Sequence, residues 1–106
     1  MISKFKVSVS RGTLNQIYSK IKGYPWDNVQ KLDGWEHGTN YKYLRSLSKY
    51  WTSKFDWKKQ EKKINSFSNF KTKVDEVEIH FIRERGSGKN ATPLLLLHGW
   101  PGSIVE

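Results

Sequence analysis

The spacing of apolar residues divides the chain into helices first and strands last. Phe5, Val7 and Val9 alternate with Lys6 and Ser8, the pattern of a short extended arm. Leu14, Ile17, Tyr18 and Ile21 then fall on one helical face. Thr13 stands where a cap belongs, Gly23 where the helix ends, and Pro25 blocks its resumption. From Asn40 to Lys54 a stripe of Leu44, Leu47 and Trp51, flanked by Tyr43 and Tyr50, predicts a second helix with Thr39 as its cap. Asp56 stands at the head of a third, with Trp57, Glu61 and Ile64 on one side and Lys58, Lys59, Lys62 and Lys63 on the others. Aromatic stripes at this spacing are read as core faces. Residues 26–38, rich in Asp, Asn and Gly, form an irregular connection that Trp26 and Trp35 pin down.

Past Phe67 and Phe70 the period changes to two. Val77, Ile79 and Phe81 alternate with Glu78 and His80, which predicts a half-buried strand. Residues 70–74 form its shorter partner across a turn at Asp75-Glu76, where Asp-Gly would make a tighter hairpin. A flexible loop, Gly86-Ser-Gly-Lys-Asn90, leads to Leu94–Leu97, four apolar residues that read as a strand buried on both faces. No internal repeat or low-complexity segment is present. The reading is a helical region over residues 1–70 and a strand region over 71–106, α+β as an isolated chain.

Composition makes that reading more specific. At 106 residues there is room for one modest core, and a mean hydropathy of −0.75 is low for a self-sufficient globule. Five Trp, five Tyr and five Phe offset this, so the helical layer is expected to need something to pack against. Charge is uneven: residues 1–73 carry +11 and residues 74–106 carry −2. A basic half suits nucleic acid or an anionic membrane surface, but lysines opposite an apolar helix face read first as a solvated surface. The absence of cysteine excludes disulfides, thiolate metal sites and cysteine nucleophiles. The charged start shows no signal-peptide core, and four leucines are far short of the roughly 20 apolar residues that span a bilayer. The expectation is a soluble, cytoplasmic chain without a membrane anchor.

The candidate chemistry lies at residues 98–103. An apolar run entering His98-Gly99-Trp100-Pro101-Gly102-Ser103 places a strand end against a glycine-rich turn, where α/β enzymes aim backbone N–H groups at a reacting oxygen. Gly99 permits close backbone approach. Pro101 lacks an N–H, keeps Trp100 out of helical angles and makes the Trp-Pro bond a candidate cis peptide. Taken alone, these residues fit an ordinary strand-to-helix turn equally well. His98 reads as an orienting, hydrogen-bonded histidine rather than a catalytic base. His37 and His80 are isolated, so no metal is expected. Neither a Gly-x-Ser-x-Gly elbow nor a phosphate-binding glycine loop occurs, and no cofactor is expected.

At this point the chain as a whole resembles one family. His98-Gly-Trp-Pro-Gly-Ser103 resembles the turn after the third strand of epoxide hydrolases of the α/β-hydrolase fold. Tyr24-Pro-Trp-Asp27, Gly34-Trp-Glu-His-Gly38, Tyr43-Leu44, Leu47, Tyr50-Trp51 and Phe55-Asp-Trp57 resemble the N-terminal region of the microsomal and juvenile-hormone type. Phe67, Phe70 and Ile79-His-Phe-Ile82 continue the likeness. The turn is shared with dehalogenases and perhydrolases, and the upstream tryptophans carry the specificity.

The resemblance implies an N-terminal fragment of an α/β-hydrolase, a helical meander around the catalytic domain followed by the first strands. It implies attack by an aspartate on a small hydrophobic epoxide, with two lid tyrosines donating to the opening oxygen. A histidine–acid pair then activates water against the resulting ester. Trp100 would give one backbone N–H to the oxyanion of that second step and wall the pocket, with His98, Gly99, Pro101 and Gly102 supporting the turn. The nucleophile, acid, base and lid tyrosines are not among these residues, and Tyr18, Tyr24, Tyr41, Tyr43 and Tyr50 are no substitutes. The isolated chain is therefore expected to be inactive and prone to self-association through an exposed sheet. The competing readings are a basic, aromatic nucleic-acid-binding module and a fragment of a related hydrolase such as a dehalogenase.

Overall fold

The computed structural model describes all residues, Met1–Glu106, in two compact units: Val9–Trp57, and Met1–Ser8 together with Lys58–Glu106. The arm at the N-terminus thus belongs with the strands, not with the helices that follow it.

In the Val9–Trp57 unit, helix α1 spans Arg11–Lys22. Its cap is Ser10, whose Oγ accepts from the Thr13 N–H at 3.0 Å. Thr13, expected as the cap, instead sits three residues inside the helix with its hydroxyl 2.9 Å from Ser10 Oγ. Both residue types can cap; Ser10 does so because its backbone is still extended (φ −65°, ψ 152°). Gly23 closes the helix by donating to the Ser19 carbonyl at 2.9 Å.

The connection that follows is pinned as expected. Trp26 opens a 3₁₀ turn over Trp26–Asn28 and stacks edge-on with Tyr24 and Tyr41 at 4.8 and 5.9 Å. The Arg45 guanidinium lies 5.9 Å from the Trp26 ring and 5.8 Å from the Tyr41 ring. Trp35 packs on Tyr43 at 5.2 Å. Gly34 and Gly38 take φ of 89° and 129°, angles at which a side chain would be strained.

Helix α2 spans Tyr41–Ser53 and is capped by Asn40, which accepts from the Tyr43 N–H at 3.0 Å, one residue beyond the expected Thr39. Helices α1 and α2 contact each other. The predicted stripe forms, but Leu44, Leu47 and Trp51 remain 37–44% exposed. One short helix cannot cover a face that wide, so the stripe is not a core face within these residues.

In the other unit, strand β1 (Ser3–Lys4), β2 (Asn69–Val74) and β3 (Val77–Ile82) form an antiparallel sheet in that order, alongside helix α3 (Trp57–Ile64), which begins at the unit boundary. The alternation that predicted the hairpin is preserved in register. Phe70 lies opposite Phe81 with rings stacked at 5.7 Å, a cross-strand pair that holds the two strands. The two-residue turn places Asp75 at φ 46° and Glu76 at φ 67°, both left-handed, as a primed hairpin turn demands.

The arm extends past β1. Phe5 N–H donates to the Asn69 carbonyl at 3.0 Å, and the Asn65 amide takes both backbone groups of Val7, at 2.8 and 2.7 Å. Asn65 therefore does for Val7 what a neighbouring strand would do. Asn69 is the one buried side chain of the protein (5% exposed) and is fully bonded. Its Nδ2 donates to the carbonyls of Ile64 and Phe67, both at 2.8 Å, and its Oδ1 faces His80 Nε2 at 2.9 Å.

The predicted strand at Leu94–Leu97 is not formed. These four leucines are 80–83% exposed and make no ladder. A parallel pairing needs a crossover of a dozen or more residues, usually helical, and residues 83–93 contain no such element. The run has the composition of a doubly buried strand without neighbours to bury it.

Candidate functional site

The site the sequence singles out, residues 98–103, is built from a few short contacts. The Trp100-Pro101 peptide is cis. His98 Nδ1 lies 3.0 Å from the Gly99 carbonyl oxygen. A carbonyl only accepts, so Nδ1 carries the proton and donates. On the far side of the turn, a Cβ added to Gly102 would stand 2.6 Å from that same oxygen. The Gly99 oxygen is therefore bonded by the imidazole and occupies space beside Gly102 that any side chain there would need. Because a peptide unit is planar, holding the Gly99 carbonyl also fixes the Trp100 N–H, which belongs to the same plane and points the opposite way.

That N–H has no acceptor within the chain. The Trp100 ring is 98% exposed and packs on nothing. His98 makes no ion pair, and its one bond is the one to the Gly99 carbonyl. The glycine that the turn cannot replace is Gly102: at Gly99 a Cβ would meet nothing within 4 Å.

The segment after the turn carries a feature that hydrophobic patterning passed over. Ser103-Ile-Val-Glu106 has the Ser-x-x-Glu spacing of a capping box. Glu106 Oε1 accepts from the Ser103 N–H at 3.2 Å, Glu106 N–H donates to the Ser103 carbonyl at 3.3 Å, and Ser103 Oγ faces Val105 N at 3.5 Å. The spacing alone could have revealed it.

The other concavities lie elsewhere. One open cleft is lined by Lys6, Lys58, Glu61, Lys62, Asn65 and Ser66, another by Ser68, Phe70, Arg83, Glu84 and Arg85. Neither includes a residue of the turn. The perturbed titrations are also remote from it. Partial burial, with a smaller push from Lys71, lowers the pKa of His80. The Lys71 ammonium, hydrogen-bonded to Glu78, lowers that carboxyl. His80 is thus a neutral structural histidine, edge-on to Phe5 at 4.7 Å. No group of three or more His, Asp or Glu is arranged to hold a metal, and no helix is long and apolar enough to cross a membrane.

A helical block, an antiparallel hairpin and an apolar run ending in a glycine-rich turn follow one another in the order expected of the opening of an α/β-hydrolase. Comparison with known proteins identifies which one. The family described as epoxide hydrolase N terminus matches residues 2–106, and the chain belongs to it. It is 36% identical over 109 residues to epoxide hydrolase 1 of Sus scrofa and 33% identical over 109 residues to the juvenile hormone epoxide hydrolase of Bombyx mori. Each alignment covers 99% of this chain and 24% of the relative. The crystal structure of the silkworm juvenile hormone enzyme superposes with a TM-score of 0.84 at 31% identity, over 98% of this chain and 26% of that one. The structure of Aspergillus niger epoxide hydrolase does so at 0.78 and 28%, over 99% and 28%. The chain thus corresponds to the N-terminal part of epoxide hydrolases and spans about a quarter of their length.

Proposed function

We propose that the chain acts as the N-terminal part of an enzyme that hydrolyses small hydrophobic epoxides to diols, and that Trp100 supplies one donor of its oxyanion hole. The observation that supports this most is the Trp100 N–H itself. It is unbonded within the chain, and the His98 bond to the Gly99 carbonyl sets its direction. A donor fixed before charge develops needs no reorganisation when the oxyanion forms, and losing one such donor costs about 2.7–4 kcal/mol. On this reading an aspartate outside residues 1–106 attacks the epoxide carbon. One carbon–oxygen bond of the ring breaks as the ester forms, and the alkoxide takes a proton from a tyrosine. Water then adds to the ester carbonyl, and the Trp100 N–H meets the oxygen that becomes negative. Residues 1–70 carry the helices, with the Ser3–Lys4 arm and the start of β2 at Asn69 joining the sheet, and residues 71–106 carry the rest of the hairpin and the turn.

The test is hydrolysis by this chain alone and by the same chain continued with the residues that follow the matched region in the silkworm juvenile hormone enzyme. The chain alone should convert no epoxide, and the continued protein should release diol. A continued, folded protein that hydrolyses haloalkanes and leaves epoxides untouched would assign the turn to a dehalogenase.

A further inference from the structure

We infer that Glu106 is a positioning residue for the Trp100 amide; the inference rests on the reading of that amide as an oxyanion donor. Trp100 and Glu106 do not touch. They are linked through Gly102 and Ser103. The Glu106 carboxylate accepts the Ser103 N–H at 3.2 Å and lies against Gly102, so closely that a Cβ on Gly102 would run into it. The Gly99 carbonyl oxygen crowds the same Cβ position, so it and the Glu106 carboxylate stand on one face of Gly102. Glu106 therefore holds Ser103 and, with Gly102 bare between them, stands beside the Gly99 carbonyl, where it limits how far the Gly99–Trp100 peptide plane can rotate. The return bond runs from Glu106 N–H to the Ser103 backbone carbonyl at 3.3 Å, so the two residues bond each other in both directions. An ordinary cap would steady only the residues after Ser103. Here the same carboxylate also crowds the face of Gly102 that the Gly99 carbonyl occupies, which extends its effect to the donor.

This geometry requires a side-chain oxygen at position 106 rather than a charge. Glu106→Gln retains an Oε1 acceptor; Glu106→Ala removes it. The measurement is the residual dipolar coupling and amide exchange of the 15N-labelled 106-residue chain, recorded at concentrations where it is monomeric. In Glu106→Ala the Trp100 coupling should average toward zero, while the Ser103 amide, which loses its acceptor, should exchange roughly three- to tenfold faster, the factor of one net hydrogen bond. Amides of the Asn69–Ile82 hairpin should not change, which controls for folding, and Glu106→Gln should restore the Trp100 coupling. If Glu106→Ala alters Val105 and Ser103 but leaves Trp100 unchanged, Glu106 is only a cap and the inference fails. The readout is the direction of an N–H, so it stands or falls separately from any role of that N–H in ester hydrolysis.

Discussion

Replacing Asn69 by alanine should weaken the sheet-bearing unit by about 2–4 kcal/mol. Asn69 makes three side-chain hydrogen bonds, to the Ile64 and Phe67 carbonyls at 2.8 Å and to His80 at 2.9 Å, and it is the only buried side chain. A typical intramolecular hydrogen bond contributes about 0.5–1.5 kcal/mol net, and partners left unsatisfied add their own desolvation cost. Those partners tie the end of α3 to β2 and β3, so one amide joins three elements. Asn69→Asp should be worse than a simple loss, because a carboxylate cannot donate to two carbonyls and would set negative oxygen against them. The same carboxylate beside the imidazole should raise the pKa of His80. Urea unfolding followed by far-UV circular dichroism gives the stability, and a 13C or 15N shift titration of His80 gives the pKa. An Asn69→Ala chain within about 0.5 kcal/mol of the parent would refute the reasoning, since solvent would then replace the amide at no cost.

Three further outcomes follow from the sheet and the exposed run. Glu76→Gly relieves a left-handed residue at φ 67° against the extra chain entropy of glycine and should stabilise the hairpin by about 0.5–1 kcal/mol, read as a rise in the urea midpoint. His80 has a folded pKa below its ordinary 6.5, so the unfolded chain binds more protons; its contribution is complete above pH 6.5 and is lost as pH falls toward the folded value. Glu78, held below 4.5 by Lys71, loses its contribution only at lower pH, so the stability curve should descend in two stages, and His80→Phe should remove the upper one. The isolated chain should self-associate through Leu94–Leu97, and Leu95→Lys with Leu97→Lys should abolish the concentration-dependent mass seen by sedimentation equilibrium.

What the sequence made legible depended on how local each signal was. The hairpin could be read because Val77, Ile79 and Phe81 set its face and the two-residue turn fixed its register. The helices could be read from their stripes, but two caps were placed wrongly because Ser10 and Thr13, and likewise Thr39 and Asn40, are chemically able to do the same job. The Asn65–Val7 clamp could not be foreseen, since it joins residues 58 positions apart through a side chain that mimics a strand. Leu94–Leu97 carries the composition of a buried strand, yet forming one depends on neighbours these residues do not supply. At the turn, the sequence assigned close backbone approach to Gly99. The close approach belongs to Gly102, whose need for a bare α-carbon appears only once the chain folds back onto the Gly99 carbonyl.

The direct test of Trp100 as an oxyanion donor is to carry the Gly99–Trp100 peptide as an ester in the continued enzyme, which removes the N–H while keeping the ring and the carbonyl. Rapid-quench measurement should show the alkyl-enzyme ester forming at the parent rate and being hydrolysed about 10²–10³ times more slowly, so that the intermediate accumulates. Hydrolysis of that ester at the parent rate would contradict the assignment of Trp100.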